Sequence, residues 1–156
     1  MKPNIRAHVI GIDPGSTKSA YCIVSPGYEI LNAGKVLNEQ MVDMLKQPPT
    51  ELVAVIEGIQ SYGMSVGREV FDTCYQVGRL LQVCDDNDIP THIYNRPEYS
   101  RAICGAGKVT DAVLRQALLL RFGADTKGGP LHLLKGNSDK RSAYAIAVYH
   151  LDMTRR

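Results

Sequence analysis

Residues 8–24 run HVIGIDPGSTKSAYCIV and contain the turn that decides how the fold begins. Residues 8–13 form a short apolar run that Pro14-Gly15 ends, and residues 19–24 resume the apolar pattern after the turn. Adjacent proline and glycine favour a tight turn between strands, so the stretch predicts a β-hairpin. Asp13 closes the first strand, and the turn is expected to leave its carboxylate exposed at the rim of the sheet.

Working outward from this hairpin, short strands come first and helices follow. The further predicted strands are residues 29–37, 52–56 and 91–94. Helices are predicted at residues 68–84, 98–104, 111–122 and 138–151, with a weak candidate at 40–45. The segment 52–56 is almost purely apolar, as expected for a strand covered on both faces. This order predicts an α/β fold: a mixed five-stranded sheet flanked by helices, in a single domain of residues 1–156.

The bulk composition fits one ordinary globular domain. The chain has 156 residues, of which 44% are apolar and 22% charged, and this balance excludes wholesale disorder and fibrous repeats. No apolar run approaches the length of a membrane span, and the first eight residues lack a secretory apolar stretch, so we expect a cytoplasmic protein without a membrane partner. The net charge of +2 is compatible with a nucleic-acid partner but does not indicate one by itself.

The four cysteines are expected to be structural. Their spacing matches neither a zinc motif nor a redox motif, and three of them lie among apolar residues in predicted elements. They are Cys22, Cys74, Cys84 and Cys104. We therefore expect reduced, buried thiols.

Carboxylates stand at the ends of two predicted strands. Asp13 ends the first strand and Glu57 follows the apolar run 52–56. If these strands are neighbours, both carboxylates emerge at one edge, where their oxygens suit Mg²⁺ or Mn²⁺. Asp139, at the start of the last helix, would be the third ligand, and Ser142 lies one turn further on the same face. Two ions about 4 Å apart would then activate a water for in-line attack on a phosphate and stabilise the leaving 3′-oxygen.

Each of these residues also has a structural interpretation. An Asp before Pro-Gly commonly forms a turn, a Glu at a strand end is commonly solvated, and an Asp at a helix start is commonly a cap. The joint order of strand-end Asp13, strand-end Glu57 and helix-start Asp139 favours the metal site. Asp111 follows Thr110 at another helix start, and its role stays open between helix capping on the one hand and, on the other, a fourth carboxylate ligand or a group that supports the metal ligands without touching the metal.

Four motifs together resemble the RuvC Holliday junction resolvases. They are GIDPGS with Asp13, VIEG with Glu57, the glycine loop from Gly105 to Lys108, and DKRSAYAIAVYH with Asp139. The stretches EGIQSYGMSVGREVFDTCYQVGRL (57–80) and KVTDAVLRQALLLRFG (108–123) look especially like the resolvases encoded by bacteriophages. The resemblance covers nearly the whole chain.

The resemblance implies a ribonuclease H-like fold and a structure-specific DNA endonuclease. Such an enzyme uses Mg²⁺, with Mn²⁺ as a substitute, to resolve Holliday junctions and related branched DNA by paired phosphodiester hydrolysis. It also implies a homodimer, whose two-fold symmetry suits a four-way junction. The apolar stripe from Val70 to Cys84 is then a candidate dimer interface, with core packing as the alternative. A phage origin would place the protein in the cytoplasm of a host bacterium.

This sequence departs from the bacterial pattern at two positions. Bacterial members commonly carry a second acidic residue one turn into the last helix, where this chain has Ser142. They also tend to have a lysine near Asp111, where phage-type members often have an acidic residue. Asp111 is therefore a candidate replacement for the missing carboxylate, and the other possibility is a site with three carboxylates.

Candidate DNA contacts lie in two glycine-containing loops and the helix that follows one of them. Lys108 sits in a glycine loop that can approach a phosphate closely, Tyr62 can stack on an unpaired base, and Arg68 begins the helix at 68–84. Further basic candidates are Arg79, Arg96, Arg101, Lys140 and Arg141.

Other functions compete with the nuclease. GIDPGST also resembles the first phosphate loop of ATP-binding domains of the actin and sugar-kinase type. Those proteins pair two such domains, and 156 residues supply one. A non-catalytic junction-binding module is suggested by Ser142. An RNA-processing relative is a further alternative, because fold alone does not choose the polymer.

Overall fold

A central sheet organises the structure. The computed structural model describes residues 6–105 and 107–156, and over these residues the chain forms five strands, five α-helices and one short 3₁₀ helix. The strands are β1 (His8–Asp13), β2 (Lys18–Val24), β3 (Ile30–Leu37), β4 (Leu52–Glu57) and β5 (Thr91–Tyr94). The helices are α1 (Asn38–Lys46), α2 (Arg68–Asp86), α3 (Arg96–Cys104), α4 (Asp111–Phe122) and α5 (Ser138–Thr154), with the 3₁₀ helix at His132–Leu134. Residues 1–5 of the predicted domain and Ala106 of the predicted glycine loop lie outside the described residues.

The strand order is β3-β2-β1-β4-β5. The first three strands form an antiparallel meander, while β4 pairs in parallel with β1 and β5 pairs in parallel with β4. Strands β1 and β4 are therefore neighbours that end at the same edge. The predicted mixed five-stranded sheet is confirmed.

Alternating side chains of β1 serve two different cores. Ile10 and Ile12 pack with α1 and α2 on one face of the sheet, while Val9 packs with α5 on the other. Because side chains of a strand alternate between faces, Gly11 and Asp13 share the face of Val9. The same alternation in β4 puts Glu57 on the face of Val55, which packs in the α5 cluster.

Helix α5 is buried on all sides over its middle. Ten consecutive residues from Ser142 to Leu151 are buried between the sheet and helices α3 and α4. Small side chains at Ala143 and Ala147, which are one turn apart on the same face, let the helix approach the strands closely, and Ala143 lies against Gly11 of β1. The beginning of α5, which carries Asp139, is held at the end of the sheet where Asp13 lies.

Helix α3 begins earlier than the sequence analysis placed it. The predicted start was residue 98, but the helix starts at Arg96, with Pro97 in its first turn. Asn95 and Glu98 form a capping box, and proline is tolerated in the first turn because its missing N–H has no helical partner there. This start puts Arg96 at the helix terminus that faces the sheet edge.

Helix α2 corrects one prediction. Its buried residues are Gln76, Leu80 and Cys84, so the sheet covers the middle and the C-terminal half of the helix. Phe71 in the N-terminal half is 53% exposed, and Cys74 is exposed as well. Burial of all four thiols was therefore wrong for Cys74, because no core reaches that turn. Cys22 and Cys84 are buried, Cys104 is partly buried, and all four are free thiols.

Within the described ranges, no helix has both the length and the apolarity needed to cross a membrane.

A buried histidine makes stability depend on pH. Burial, with His92 nearby, lowers the pKa of His150 to about 4 from its ordinary 6.5, and Tyr94 Oη lies 3.0 Å from its Nδ1. The unfolded chain takes up the proton first, so folding stability is lost as the pH falls from about 6.5 to 4. We expect this residue to account for a loss of about 1–3 kcal/mol.

Urea unfolding at pH 7.5 and pH 5.0 measures this loss. A His150→Gln variant, which cannot titrate, should lose less stability between the two pH values than the native chain. An identical pH dependence in both proteins would contradict the assignment to His150.

Candidate active site

Asp13 and Glu57 lie side by side at the end of the sheet. Ile12 pairs with Ile56, so the residues that follow them are neighbours on the face covered by α5. Both side chains are partly buried, and the Asp13 carboxyl donates a hydrogen bond to the Glu57 carboxylate. Asp13 is therefore less exposed than the sequence analysis expected.

The pair holds a proton at neutral pH. Burial, and then the charges of Glu57 and Asp139, raise the pKa of Asp13 to about 8. Burial also raises the pKa of Glu57, against the opposing effect of the Arg96 guanidinium. Tyr99 Oη stabilises Glu57 by donating to its Oε2 at 3.3 Å. Two adjacent, partly buried carboxylates would repel each other if both were ionised; the shared proton relieves this repulsion, and a bound cation would do the same.

Asp139 joins this pair from α5. Its carboxylate is near enough for its charge to raise the pKa of Asp13. The interpretation of Asp139 as a helix cap is wrong, because Asn137 Oδ1 accepts hydrogen bonds from the backbone N–H groups of Asp139 and Lys140 at 3.0 Å. The Asp139 side chain is therefore available for other contacts.

Lys35 currently pairs with Asp139. Lys35 Nζ lies 2.5 Å from Asp139 Oδ2, and both side chains are partly exposed. Lys35 on β3 is paired with Ala20 on β2, and Ala20 is paired with Asp13 on β1. Lys35, Ala20 and Asp13 therefore form one row across the sheet. Among the described residues, no group of three or more His, Cys, Asp or Glu side chains is arranged to hold a metal ion.

Arg96 lies at the other side of the carboxylate pair. Its Nη1 donates to Ser142 Oγ at 3.0 Å and to Tyr99 Oη at 3.4 Å. Its Nη2 donates to Asp111 Oδ1 at 2.6 Å. Asp111 is connected to the site through Arg96, and the helix cap is Thr110, whose Oγ1 accepts from the backbone N–H of Val113. Capping by Asp111 itself is therefore wrong.

The predicted DNA contacts lie on exposed segments. Lys108 is exposed, Tyr62 is 58% exposed with a left-handed backbone, and Arg68 lies 3.7 Å from Asp72 on the solvent side of α2. Arg79 pairs with Glu39 at 2.9 Å. Arg101 is exposed, while Lys140 and Arg141 are partly buried in the first turn of α5.

Three contributors to the site were not predicted from the sequence as part of it. Arg96 was considered only as a DNA contact, and Lys35 and Tyr99 were not considered at all. The capping box from Asn95 to Glu98 was the available signal for Arg96, because it fixes where the helix begins. Lys35 had no such signal, since its place depends on the register of two strand pairs.

Comparison with known structures identifies the fold. RuvC of T. thermophilus in complex with a Holliday junction substrate superimposes with a TM-score of 0.71 and 18% identity, covering 96% of this chain and 95% of that one. A second Thermus thermophilus RuvC structure gives 0.70 and 18%, with 95% of each chain covered. The yeast mitochondrial Holliday junction resolvase Ydc2 gives 0.63 and 12%, covering 96% of this chain and 80% of that one.

The chain therefore has the fold of RuvC and the ribonuclease H-like proteins: a mixed five-stranded sheet flanked by helices. Comparison with protein-family models gives no match, and comparison with curated proteins gives none either. At these identities the similarity is one of architecture.

Proposed function

We propose that this protein is a divalent-metal-dependent endonuclease that cuts branched DNA, with four-way junctions as its substrate. The observation that carries the proposal is the partly buried, hydrogen-bonded carboxyl pair of Asp13 and Glu57, with Asp139 beside it, at the end of this particular fold. Three structures with the same architecture are of RuvC or a Holliday junction resolvase, one of them bound to junction DNA.

The carboxylates suit a hard cation. Asp13, Glu57 and Asp139 supply only oxygen donors, which Mg²⁺ and Mn²⁺ prefer. A bound ion would supply an activated water and neutralise charge on the phosphate and the leaving 3′-oxygen. Asp13 would lose its proton on binding, Tyr99 would continue to orient Glu57, and Asp139 would exchange Lys35 for the ion. No side chain is needed as a nucleophile.

The exposed loops supply candidate DNA contacts. Lys108 and Arg68 would contact phosphates, and Tyr62 would stack on a base near the crossover. Tyr62 belongs to the segment that follows Glu57 and leads into α2, so it is connected closely to the carboxylate edge.

Branched DNA with two-fold symmetry calls for a dimer, and α2 offers an apolar surface for one. Met64 is 72% exposed, Phe71 is 53% exposed and Tyr75 is 70% exposed. Phe71 and Tyr75, which lie one turn apart on α2 and are here called the α2 apolar surface, fall in the N-terminal half of the range from Val70 to Cys84 that was predicted as an interface. Large exposed apolar groups of this kind mark contact surfaces.

Light scattering after size-exclusion chromatography tests the dimer. A Phe71→Glu/Tyr75→Glu variant should elute as a monomer, because it would bury two charges in the interface. Leu120→Glu is the matched control: Leu120 is 79% exposed on α4, so the variant should remain dimeric. A native monomer at micromolar concentration would contradict this assignment.

Cleavage of labelled DNA tests the function directly. The purified protein is incubated with a four-way junction, a fork and linear duplex, each with Mg²⁺, with Mn²⁺ and with chelator. Paired nicks near the crossover that require metal are the expected result. Equal cutting of linear duplex would contradict the proposed preference for branched DNA. Cutting in the presence of chelator would contradict the proposed metal dependence.

A non-catalytic junction-binding protein is the second candidate. Ser142 contributes no carboxylate, and Lys35 neutralises Asp139 in the described structure. Tight junction binding without metal-dependent cutting would favour this candidate over the nuclease.

Lys35 is expected to compete with the metal for Asp139. A Lys35→Met variant should bind Mn²⁺ about 3- to 5-fold more tightly, because the Asp139 carboxylate no longer has a lysine partner. Titration calorimetry measures this affinity. Lys46→Met, which removes a lysine at the end of α1, is the control and should leave affinity unchanged. The gain should also disappear in an Asp139→Asn background, and a gain that persists there would contradict the competition.

A further inference from the structure

We infer that the guanidinium of Arg96 supplies the positive charge that a second metal ion would otherwise supply in this site. The protein then binds a single divalent metal ion there. The inference rests on the proposed function and goes beyond it, because the carboxylates alone would suit two ions. The ion would lie between Asp13, Glu57 and Asp139, and the guanidinium would remain on the side of Ser142 and Asp111.

Arg96 is fixed in place by several contacts. Ser142 Oγ, Tyr99 Oη and Asp111 Oδ1 accept hydrogen bonds from it at 3.0, 3.4 and 2.6 Å. Tyr99 in turn donates to Glu57, so the guanidinium and Glu57 share a partner. The Arg96 side chain is only 30% exposed. We therefore expect this guanidinium to stay in place when a metal binds.

Ser142 is engaged by two hydrogen bonds in this arrangement, and it supplies no charged ligand for a metal. Its hydroxyl oxygen accepts from Arg96 Nη1, and its proton goes to the backbone carbonyl of Ser138 at 3.1 Å. The residue is 3% exposed. Ser142 therefore positions Arg96, and position 142 itself supplies no carboxylate to the site.

The formal charges agree with one ion. Four carboxylates, those of Asp13, Glu57, Asp111 and Asp139, face the two cations Lys35 and Arg96. Once Asp13 has lost its proton, and with Lys35 released from Asp139 but still beside the site, these formal charges sum to −2, which one divalent ion neutralises. A second divalent ion would leave an excess positive charge beside a fixed guanidinium, which like-charge repulsion disfavours.

Arg96 can also reach a phosphate. A guanidinium carries five N–H donors in a planar fork that matches phosphate oxygens. The contacts to Ser142, Tyr99 and Asp111 leave part of this fork, and the exposed part of the side chain, for a substrate. A fixed donor that faces the phosphate stabilises the charge that develops there without reorganising.

Mn²⁺ binding to the native protein, followed by calorimetry and by the electron paramagnetic resonance of free Mn²⁺, tests the inference without using activity. One equivalent per chain is expected. An Arg96→Met/Ser142→Asp variant, which removes the guanidinium and adds a carboxylate, should bind about two. Arg96→Lys, which keeps a positive charge, is the matched control and should bind one.

Junction cleavage separates this inference from the proposed function. Arg96→Met should cut about 10²-fold more slowly than the native protein, and Arg96→Lys should recover part of the rate. Two equivalents in a native protein that cuts junctions would overturn the inference alone. No Mn²⁺ binding and no cutting would overturn the proposed function as well. Circular dichroism shows whether each variant is folded, and the native stoichiometry decides the question even if a variant is not.

Discussion

Asp13→Asn should abolish junction cleavage, by about 10³-fold or more, while making the metal-free protein more stable. Cleavage is lost because an amide supplies no charge to hold the cation beside Glu57. Stability rises because the neutral asparagine side chain resembles the protonated carboxyl that the folded protein already prefers. Opposite changes in activity and stability are expected where carboxylates are held together for a ligand and not for the fold.

The pH dependence follows from the same pKa shift. Asp13 has its pKa raised from the ordinary 3.8 to about 8, so its contribution to stability is fully present below pH 3.8 and is lost as the pH rises to 8. The gain from Asp13→Asn should therefore be largest near pH 8, at about 1–3 kcal/mol, and should vanish near pH 4. Thermal unfolding in chelator at both pH values measures it.

Asp152→Asn is the matched control for this change. Asp152 has a lowered pKa because Arg121 and Tyr28 donate hydrogen bonds to it, and it lies outside the candidate site. The control should destabilise the protein at neutral pH and leave cleavage intact. An Asp13→Asn protein that is less stable than the native one would show that Asp13 stabilises the fold. A variant that still cuts at the native rate would show that Asp13 has no role in cleavage.

Local sequence signals were sufficient to predict the sheet and its carboxylates. Pro14-Gly15 fixes the end of β1, and the apolar run before Glu57 fixes the end of β4, so the positions of both carboxylates followed from strand boundaries. Period-two alternation then places Asp13 and Glu57 on one face once the strands are neighbours. The predicted strand at residues 91–94 and the predicted helix at residues 111–122 coincide with β5 and α4, because both were read from local sequence patterns.

The cations of the site could not be predicted in this way. Lys35 reaches Asp139 only because β3 pairs with β2 in one register, and one residue of slip would point it to the opposite face. Arg96 reaches Ser142 only because α3 and α5 pack together. Exposure of Cys74 was missed because the apolar stripe of α2 is longer than the core beneath it. The spacing of apolar residues shows which face of a helix is apolar, but it does not show which part of that face is covered by the rest of the protein.

Gly11→Ala is expected to damage the fold severely. A Cβ at this position would lie 1.9 Å from the backbone oxygen of Ala143 and 3.1 Å from Ile146 Cγ2, both on α5. Neither the strand nor the helix has a flexible side-chain atom at the closest point, so the two elements must separate. We expect a loss of about 3 kcal/mol or more in the free energy of unfolding, measured in urea.

The same change should disturb the site, since the contact between Gly11 and Ala143 sets the depth at which α5 lies on β1. Asp13 is two residues from Gly11 on one element, and Asp139 is four residues from Ala143 on the other. Displacing α5 therefore separates Asp13 from Asp139. At a temperature where the variant is still folded, cleavage should fall about 10²-fold through loss of this alignment.

Gly78→Ala is the appropriate comparison for Gly11→Ala. Gly78 is exposed in α2, and a Cβ there would meet no atom within 4 Å, so alanine should stabilise the helix by about 0.5–1 kcal/mol. If Gly11→Ala lowers the free energy of unfolding while Gly78→Ala raises it, the loss at position 11 comes from the contact with α5. A Gly11→Ala protein with native stability and native cleavage would show that α5 does not need this close approach, and the geometric link between the fold and its carboxylates would have to lie elsewhere.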